Sequence, residues 1–488
     1  RSGKAMRALK AAKTSLKAGV STRTMALAGR INSRLPDVDI DTGQIANRLA
    51  EVSAPVRQRT VGKLNELSDG TWRRINGLDV SSVESRTVRL VRATGETGKE
   101  ALEQLSDPGR RALLRLDDVE TERAILRTWA RGDISTDHLT TALRRVDDMS
   151  HSERRIYKMV ARATGDDAVE IAAKSDGAAL KALTNSDVDS GFRKTITRAA
   201  DSDALDSFDQ LDRVVRKVDE MDGRANRRAM EVLEETEGKG VVFMDDLETG
   251  TLRNVLDSTD VDRGQLTGAI EKYHELGDRA RLLTTDLVGE TGDKTIAFMD
   301  DLNAETLEGI LDLREAELTT NEIGGVIQTY DGLDDAASQS ARELLEATED
   351  NGVAFMADVE AGTLDDILKS TDLDSDELTG AVRSYDSLEG ATSHYARDLL
   401  DETGEDGVQL LDEVDDSSLQ KVLDSDAIES DELVAATRKY GDLDGDKRSQ
   451  FRELLADDDL RDSWVKVAGS EDISLDETKL ALDRVDDI

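Results

Sequence analysis

Apolar residues recur along this chain at the spacing of helices that bury one face. In one stretch Leu266, Ala269, Ile270 and Tyr273 occupy positions i, i+3, i+4 and i+7, which places them on one side of a helix. The same spacing returns at 378–385, and a second apolar pair lies fourteen residues after the end of each stripe. The pattern therefore predicts pairs of helices with buried apolar faces.

These helix pairs belong to a repeated unit. Four related segments begin at Phe243, Phe298, Phe355 and Leu410. Each ends in a tyrosine, and the nearly constant spacing of these tyrosines marks an internal repeat; they are Tyr273, Tyr330, Tyr385 and Tyr440. A unit of this size holds a few short helices and too little interior to fold alone, so neighbouring units must stack. We predict an all-α fold, an α-solenoid-like array of stacked helical repeats.

The units nearer the amino terminus are longer. Ile75, Val146 and Val218 occupy the position of the repeat tyrosines and are more widely spaced than the tyrosines are. The additional sequence, as in 106–129, can form one more helix in each unit. We therefore expect units of about 71 residues first and units of about 55 residues afterwards, as the period of the repeat indicates. The change falls near residue 219.

A capping signal precedes most anchor residues, as we call the residues at the position of the repeat tyrosines, which Val52 and Val485 also occupy. DISTDHLTTALRRVDD at 133–148 and DISLDETKLALDRVDD at 472–487 share ten of sixteen letters. Eleven residues before most anchors stands a side chain whose oxygen can accept from the first free amides of a helix. Gln or Glu follows three residues later in most copies, which completes a capping box. The predicted structural helix caps are Asp41, Ser135, Asp262, Thr319, Asp374 and Ser474, and Glu429 is the exception.

Charge divides the chain into three regions. The 488 residues carry 64 basic and 105 acidic side chains, a net charge of −41. Residues 1–35 hold nine Lys or Arg and no acid, residues 36–200 hold 27 of each sign, and 201–488 hold 28 basic and 78 acidic side chains, a balance of −50. We expect a basic arm or helix at 1–35, charge-neutral longer repeats at 36–218 and acidic repeats at 219–488.

The composition resembles that of proteins from salt-accumulating halophilic archaea. Asp and Glu are abundant, Arg exceeds Lys, and aromatic residues make up only 3% of the chain. This resemblance implies a high-salt cytoplasm and identifies no family. The absence of Cys excludes disulfides and thiolate zinc sites. No run of eighteen apolar residues occurs, so we expect a cytoplasmic protein, membrane-peripheral only if its arm binds lipid.

The residue types that carry catalysis or bind metals form no known constellation. No two of the four histidines have a metal-ligand spacing. Asp442, Asp444, Asp446 and Glu453 match an EF-hand loop, but Lys447 replaces its glycine. No phosphate-binding loop or nucleophile elbow occurs. We predict no catalytic residue, no cofactor, no metal and no small-molecule substrate.

Two recurring features are open to a functional and a structural interpretation. Acid pairs such as Asp245/Asp246 and Asp300/Asp301 suit acid–base or metal chemistry, but their repetition near an expected helix start favours a solvated face. The repeat tyrosines could stack on a ligand. Because valine replaces them in other units, we interpret them as core residues.

The basic arm is the clearest candidate for binding an anionic partner. Its cations recur every three or four residues among Ala, Leu and Met, as expected of a helix with a cationic face. Nucleic acid, an anionic membrane and an acidic protein surface all fit this pattern, and so does a solvated arm without a ligand. The candidate contacts are Lys4, Arg7, Lys10, Lys13, Lys17 and Arg23.

We expect a non-enzymatic helical-repeat scaffold that binds a protein partner, most readily through residues 1–200. One alternative is a nucleic-acid-associated repeat region of a longer, nuclease-type protein, in which arginine pairs follow phosphates. Another is an envelope or virion protein held by the arm. The chain starts at Arg1 and stops at Ile488 inside a unit, so we expect further sequence beyond its ends. The arginine pairs are 73/74, 110/111, 144/145 and 154/155.

Overall fold

The structure is a computed structural model of the 488-residue chain. It describes residues 22–35, 37–38, 40–116, 118–186, 188, 190–311, 318–388 and 390–485. The chain divides into two compact units, Arg1–Asp245 and Asp246–Ile488. Each unit is described separately below.

The described residues of the first unit form short helices joined by turns, and they contain no strand. The helices are α1 Thr22–Arg34, α2 Thr42–Ala50, α3 Ala54–Glu66, α4 Asp69–Asn76, α5 Val83–Thr94, α6 Glu96–Gln104, α7 Asp107–Arg115, α8 Val119–Arg131, α9 Thr136–Asp148, α10 His151–Thr164, α11 Asp166–Lys174, α12 Ala178–Thr184, α13 Ser190–Ala200, α14 Phe208–Asp219, α15 Gly223–Thr236 and α16 Gly238–Asp246, whose last residue begins the second unit.

The described residues of the second unit are likewise helical and without strands. The helices are α17 Thr249–Asp257, α18 Arg263–Glu275, α19 Asp278–Thr291, α20 Asp293–Asp301, α21 Ala304–Leu311, α22 Thr320–Asp331, α23 Asp335–Thr348, α24 Asp350–Asp358, α25 Ala361–Lys369, α26 Ser375–Ser387, α27 Ala391–Thr403, α28 Glu405–Glu413, α29 Asp416–Leu423, α30 Ser430–Gly441, α31 Gly445–Ala456, α32 Arg461–Gly469 and α33 Leu475–Val485.

The protein is therefore an all-α array of helical repeats, as predicted. From the anchor Val146 to the anchor Val218 the chain passes through five helices, α10 to α14, whereas from Tyr273 to Tyr330 it passes through four, α19 to α22. The extensive helix–helix contacts join helices at most three places apart in chain order. This local pattern is typical of repeats that stack on their neighbours. The division of the chain at residues 35 and 218 stays a prediction.

The core of each repeat consists of the predicted apolar stripes. In α18, Leu266, Ala269 and Ile270 are fully buried and Tyr273 is 1% exposed. The side chains at these positions share one face of the helix, so burying them removes an apolar stripe from water. Phe298 and Tyr330 in the next repeat meet edge to face, with ring centroids 5.2 Å apart.

The link between the second long helix of one repeat and the first helix of the next has a specialised backbone. Gly292 and Gly404 have φ values of 67° and 57° with ψ near −125°, a region that glycine occupies readily and other residues avoid. Glu237 and Glu349 adopt the same conformation, with φ values of 50° and 49°. The positive φ is that of a left-handed helix ending, but ψ lies outside the left-handed helical region.

Candidate interaction surfaces and the groups that tie the repeats

The predicted caps lie at helix starts. Asp262 Oδ1 accepts from the Gln265 amide at 2.9 Å, and the Gln265 side chain accepts from the Asp262 amide at 2.8 Å. Asp374 accepts from the amides of Asp376 and Glu377. Comparable hydrogen bonds to helix-starting amides are accepted by Asp41, Ser135, Thr319 and Ser474.

The repeat tyrosines are buried and their hydroxyl groups bind carboxylates. Each hydroxyl donates to an acid at the end of the first short helix of its own repeat. Burial raises the pKa of the hydroxyl groups of Tyr330, Tyr385 and Tyr440. This hydrogen bond satisfies the buried hydroxyl group, whereas the accepting carboxylates range from half-buried to exposed. The pairs are Tyr273–Asp246 at 2.7 Å, Tyr330–Asp301 at 3.2 Å, Tyr385–Asp358 at 2.9 Å and Tyr440–Glu413 at 2.7 Å.

The acid pairs were expected near a helix start, and that position was wrong; Asp246 is exposed to solvent as expected, whereas the other three acids are half-buried. The pairs lie at the carboxyl end of a short helix, where the helix dipole disfavours a negative charge. Asp301 faces Tyr330 in its own repeat, whereas Asp300 packs against Gly268 of the preceding repeat, where a Cβ atom would overlap its carboxylate. Each pair therefore contacts two successive repeats.

The same arrangement recurs two boundaries further on, between the third and the fourth repeat. Asp412 packs so closely on Gly380 that any side chain at Gly380 would displace it. Burial raises the pKa of Asp412 to about 6, and the negative charges of Glu377 and Glu413 act in the same direction. Burial also raises the pKa of Asp300, but the Lys272 ammonium opposes that shift.

A lysine or arginine next to an anchor residue donates hydrogen bonds to carbonyl groups at the carboxyl end of the helix two places further along the chain. Lys439 Nζ donates to the carbonyl oxygens of Ala468, Ser470 and Ile473 at 2.7, 2.9 and 2.6 Å. Arg145 donates in the same way to Ala172 and Ser175. A cation at a helix carboxyl end satisfies carbonyl groups that lack a partner within the helix.

The basic arm lies largely outside the described residues. This applies to Lys4, Arg7, Lys10, Lys13 and Lys17. Arg23 belongs to α1, and the structure does not describe its side chain. The assignment of these cations to an anionic partner stays a prediction.

Several members of the arginine pairs serve the fold. Arg110 is fully buried and donates to the Leu102 carbonyl oxygen at 2.7 Å. Arg154 donates to the carbonyl oxygens of Asp147 and Met149 at 2.7 and 3.0 Å. These side chains and Arg145 cap carbonyl groups, which removes them from a surface that could follow phosphates.

The suspected calcium loop forms a helix start. Asp444 Oδ1 accepts from the Lys447 amide at 3.1 Å at the beginning of α31. His138 is at the third position of α9, where its amide donates to Ser135 Oγ at 3.2 Å. Among the residues that the structure describes, no group of three or more His, Asp or Glu side chains could hold a metal ion.

Two open cavities lie among the residues of the second unit that the structure describes. One, of about 540 Å³, is lined by polar side chains that include Asp301, Tyr330 and Arg342. Arg342 Nε lies 3.2 Å from Glu346 Oε1, so the positive charge inside this cavity is already paired. The other, of about 380 Å³, lies between α27, the α29–α30 turn and the start of α30, and exposed Tyr395 stands beside it.

No protein-family model matches the chain, and no curated protein matches it in sequence. The class that the fold defines is an all-α helical-repeat protein. Within the described residues, no helix is long and apolar enough to cross a membrane.

Proposed function

We propose that this chain is a non-enzymatic helical-repeat scaffold that binds a protein partner in a high-salt cytoplasm. One observation carries the proposal. The polar groups that recur with the repeat are used to hold helices together: tyrosines bind carboxylates, acid pairs contact two repeats, and cations cap helix ends. Within each unit, repeats held together in this way bring several similar helices side by side, which suits recognition of another protein.

The charge-neutral region supplies the contact surface. A partner that approaches residues 36–200 meets equal numbers of acidic and basic side chains. The region therefore has no net charge that would repel an acidic or a basic protein. On α10, Met159 is 52% exposed, and Ile156, three residues earlier on the same side of the helix, is half-buried. An exposed methionine is adaptable enough to pack against a partner.

Affinity capture with the full chain in molar salt, followed by cross-linking, tests this surface. The control for Met159→Asp is Leu282→Asp, because Leu282 is also exposed, at 66%, but lies in the acidic region. We expect cross-links from a captured protein to cluster within 36–200. Met159→Asp should reduce capture by about fivefold or more, as loss of a central contact does, and Leu282→Asp should leave it unchanged. Equal loss in both variants, or cross-links spread over the chain, would contradict the proposal.

A further inference from the structure

The cavity beside Tyr395 is a groove with apolar side chains on its floor and an acidic rim. Its floor includes Leu399, Val422 and Leu423, and the Tyr395 side chain at its edge is 53% exposed. The carboxylates around it are Asp398, Asp424, Asp426 and Glu429, and no Lys or Arg is among the residues that line it. We call this site the Tyr395 groove. It combines an apolar surface with negative charge.

The groove exists because the fourth repeat leaves open a position that the other repeats cover. Leu433 and its neighbour Val434 are half-buried and line the groove. At the position of Leu433 the three preceding repeats have buried side chains, with 0, 1 and 6% exposure: Leu266, Ile323 and Leu378. The same stripe that packs inward in those repeats is thus partly exposed here, which leaves apolar side chains within reach of a bound segment.

The negative charge of the rim indicates the charge of a segment that could bind in the groove. A helix or strand that filled the groove would place its flanking side chains beside four carboxylates, so its own charge must be positive. Residues 1–21 of this chain carry six Lys or Arg and no acid, and Met6, Leu9 and Leu16 lie between the cations. This segment offers both the apolar side chains for the floor and the cations for the rim.

We propose that the Tyr395 groove binds residues 1–21 of a second copy of the chain. The apolar side chains of the segment enter the groove beside Tyr395 and Leu433, and its cations pair with the rim. The site lies outside residues 36–200, so the proposal does not depend on the protein partner proposed above. Its consequence is self-association of the scaffold.

Binding of a labelled synthetic peptide of residues 1–21 to the full chain, followed by fluorescence anisotropy, tests the proposal. In molar salt, where the Debye length is about 3 Å, general attraction to the acidic surface is suppressed and the apolar contacts remain. Tyr395→Asp should weaken binding by about tenfold or more, the effect expected for a central apolar contact. Because Tyr395 is exposed, circular dichroism should show an unchanged fold. Leu282→Asp, with the same charge change at an exposed site, should bind the peptide like the original chain.

A second set of experiments locates the contact and distinguishes it from general charge attraction. The peptide with a photo-cross-linker in place of Leu9 should label residues 391–434, and an excess of unlabelled peptide should dissociate any oligomer seen in sedimentation velocity. A peptide with the same cations but with Met6, Leu9 and Leu16 replaced by Ser should not bind in molar salt. Binding unaffected by Tyr395→Asp, labels scattered over the acidic surface, or a chain that neither self-associates nor binds the peptide would overturn the proposal.

Discussion

The two compact units provide different partners for acidic side chains that lie against neighbouring helices. In the first unit the partners include cations: Glu122 has a fully buried side chain and pairs with Arg89, and half-buried Asp118 pairs with Lys158 at 2.6 Å. In the second unit, a neutral tyrosine hydroxyl donates to an acid in each of the four repeats, as in Tyr385–Asp358. A cation cancels the negative charge, whereas a hydroxyl only stabilises it. Related helical repeats can thus be built in a charge-neutral and in a strongly acidic region.

The largest effect that follows from this difference is a dependence on salt. Residues 246–488 carry 65 acidic and 21 basic side chains, a balance of −44, so the second unit should lose helix when salt is removed. It should recover above roughly one molar, where screening acts over a few ångströms. Circular dichroism of the full chain measures the change, and hydrogen exchange locates it. Loss of helix in the first unit alone, or no loss, would refute this difference between the units.

The hydroxyl–carboxylate pairs should contribute measurably to stability. Tyr385→Phe removes the 2.9 Å hydrogen bond to Asp358, an exposed carboxylate that water can then solvate, so the loss should be about 0.5–1.5 kcal/mol. Tyr440→Phe should cost less, because Arg448 also lies 2.7 Å from Glu413. Denaturant unfolding in molar salt gives the free energies. Tyr395→Phe, at an exposed tyrosine, is the control and should change the free energy little. An equal effect at all three positions would mean that the hydroxyls do not act through these pairs.

A glycine in place of one glutamate should stabilise the second unit. Glu349 occupies the backbone conformation that Gly292 and Gly404 occupy in other repeats, and a side chain in this region costs about 1–3 kcal/mol. We expect Glu349→Gly to raise the unfolding free energy by about 1 kcal/mol, since glycine also increases the entropy of the unfolded chain. Glu346→Gly, within α23, should lower it. A decrease in both variants would show that Glu349 is not strained.

The smallest expected effect is on pH dependence. Burial raises the pKa of Asp406 and Asp412 to about 6, above the usual value near 4 of the unfolded chain. Both groups then favour the folded state fully below pH 4, and this contribution is lost as the pH rises through about 6. Asp412→Asn should therefore raise the melting temperature at pH 7.5 more than at pH 5. Asp459→Asn, at an exposed carboxylate, should show no such difference.

Local signals in the sequence predicted the helices and their starts well. A capping box joins residues three apart, so the side chains of Asp262 and Gln265 indicate their hydrogen bonds before any fold is known. The apolar stripe ending at Tyr273 likewise predicts its own burial, and the difference between five and four helices per unit follows from the anchor spacing.

Features that depend on distant residues were not predicted correctly. The role of Asp301 depends on Tyr330, 29 residues away, and that of Asp300 on Gly268 in the repeat before. From the sequence alone these acids resembled a solvated face. The Tyr395 groove was also missed, because Leu433 has the same residue type and register as buried Leu378. Gly268 and Gly380 each lie five residues before a repeat tyrosine. A glycine that recurs at this position could have indicated that a side chain of the next repeat, Asp300 or Asp412, packs against it.

Hydrogen exchange of Gly380→Leu most directly tests the central claim, that each repeat is held by the next. Gly380 lies in α26, and a side chain there overlaps Asp412 of α28 in the following repeat. The control is Gly362→Leu in the same repeat, where no atom lies within 4 Å of an added Cβ. We predict that Gly380→Leu accelerates exchange in α26 and α28 together and that Gly362→Leu accelerates neither. Faster exchange confined to α26, with α28 unchanged, would contradict the account.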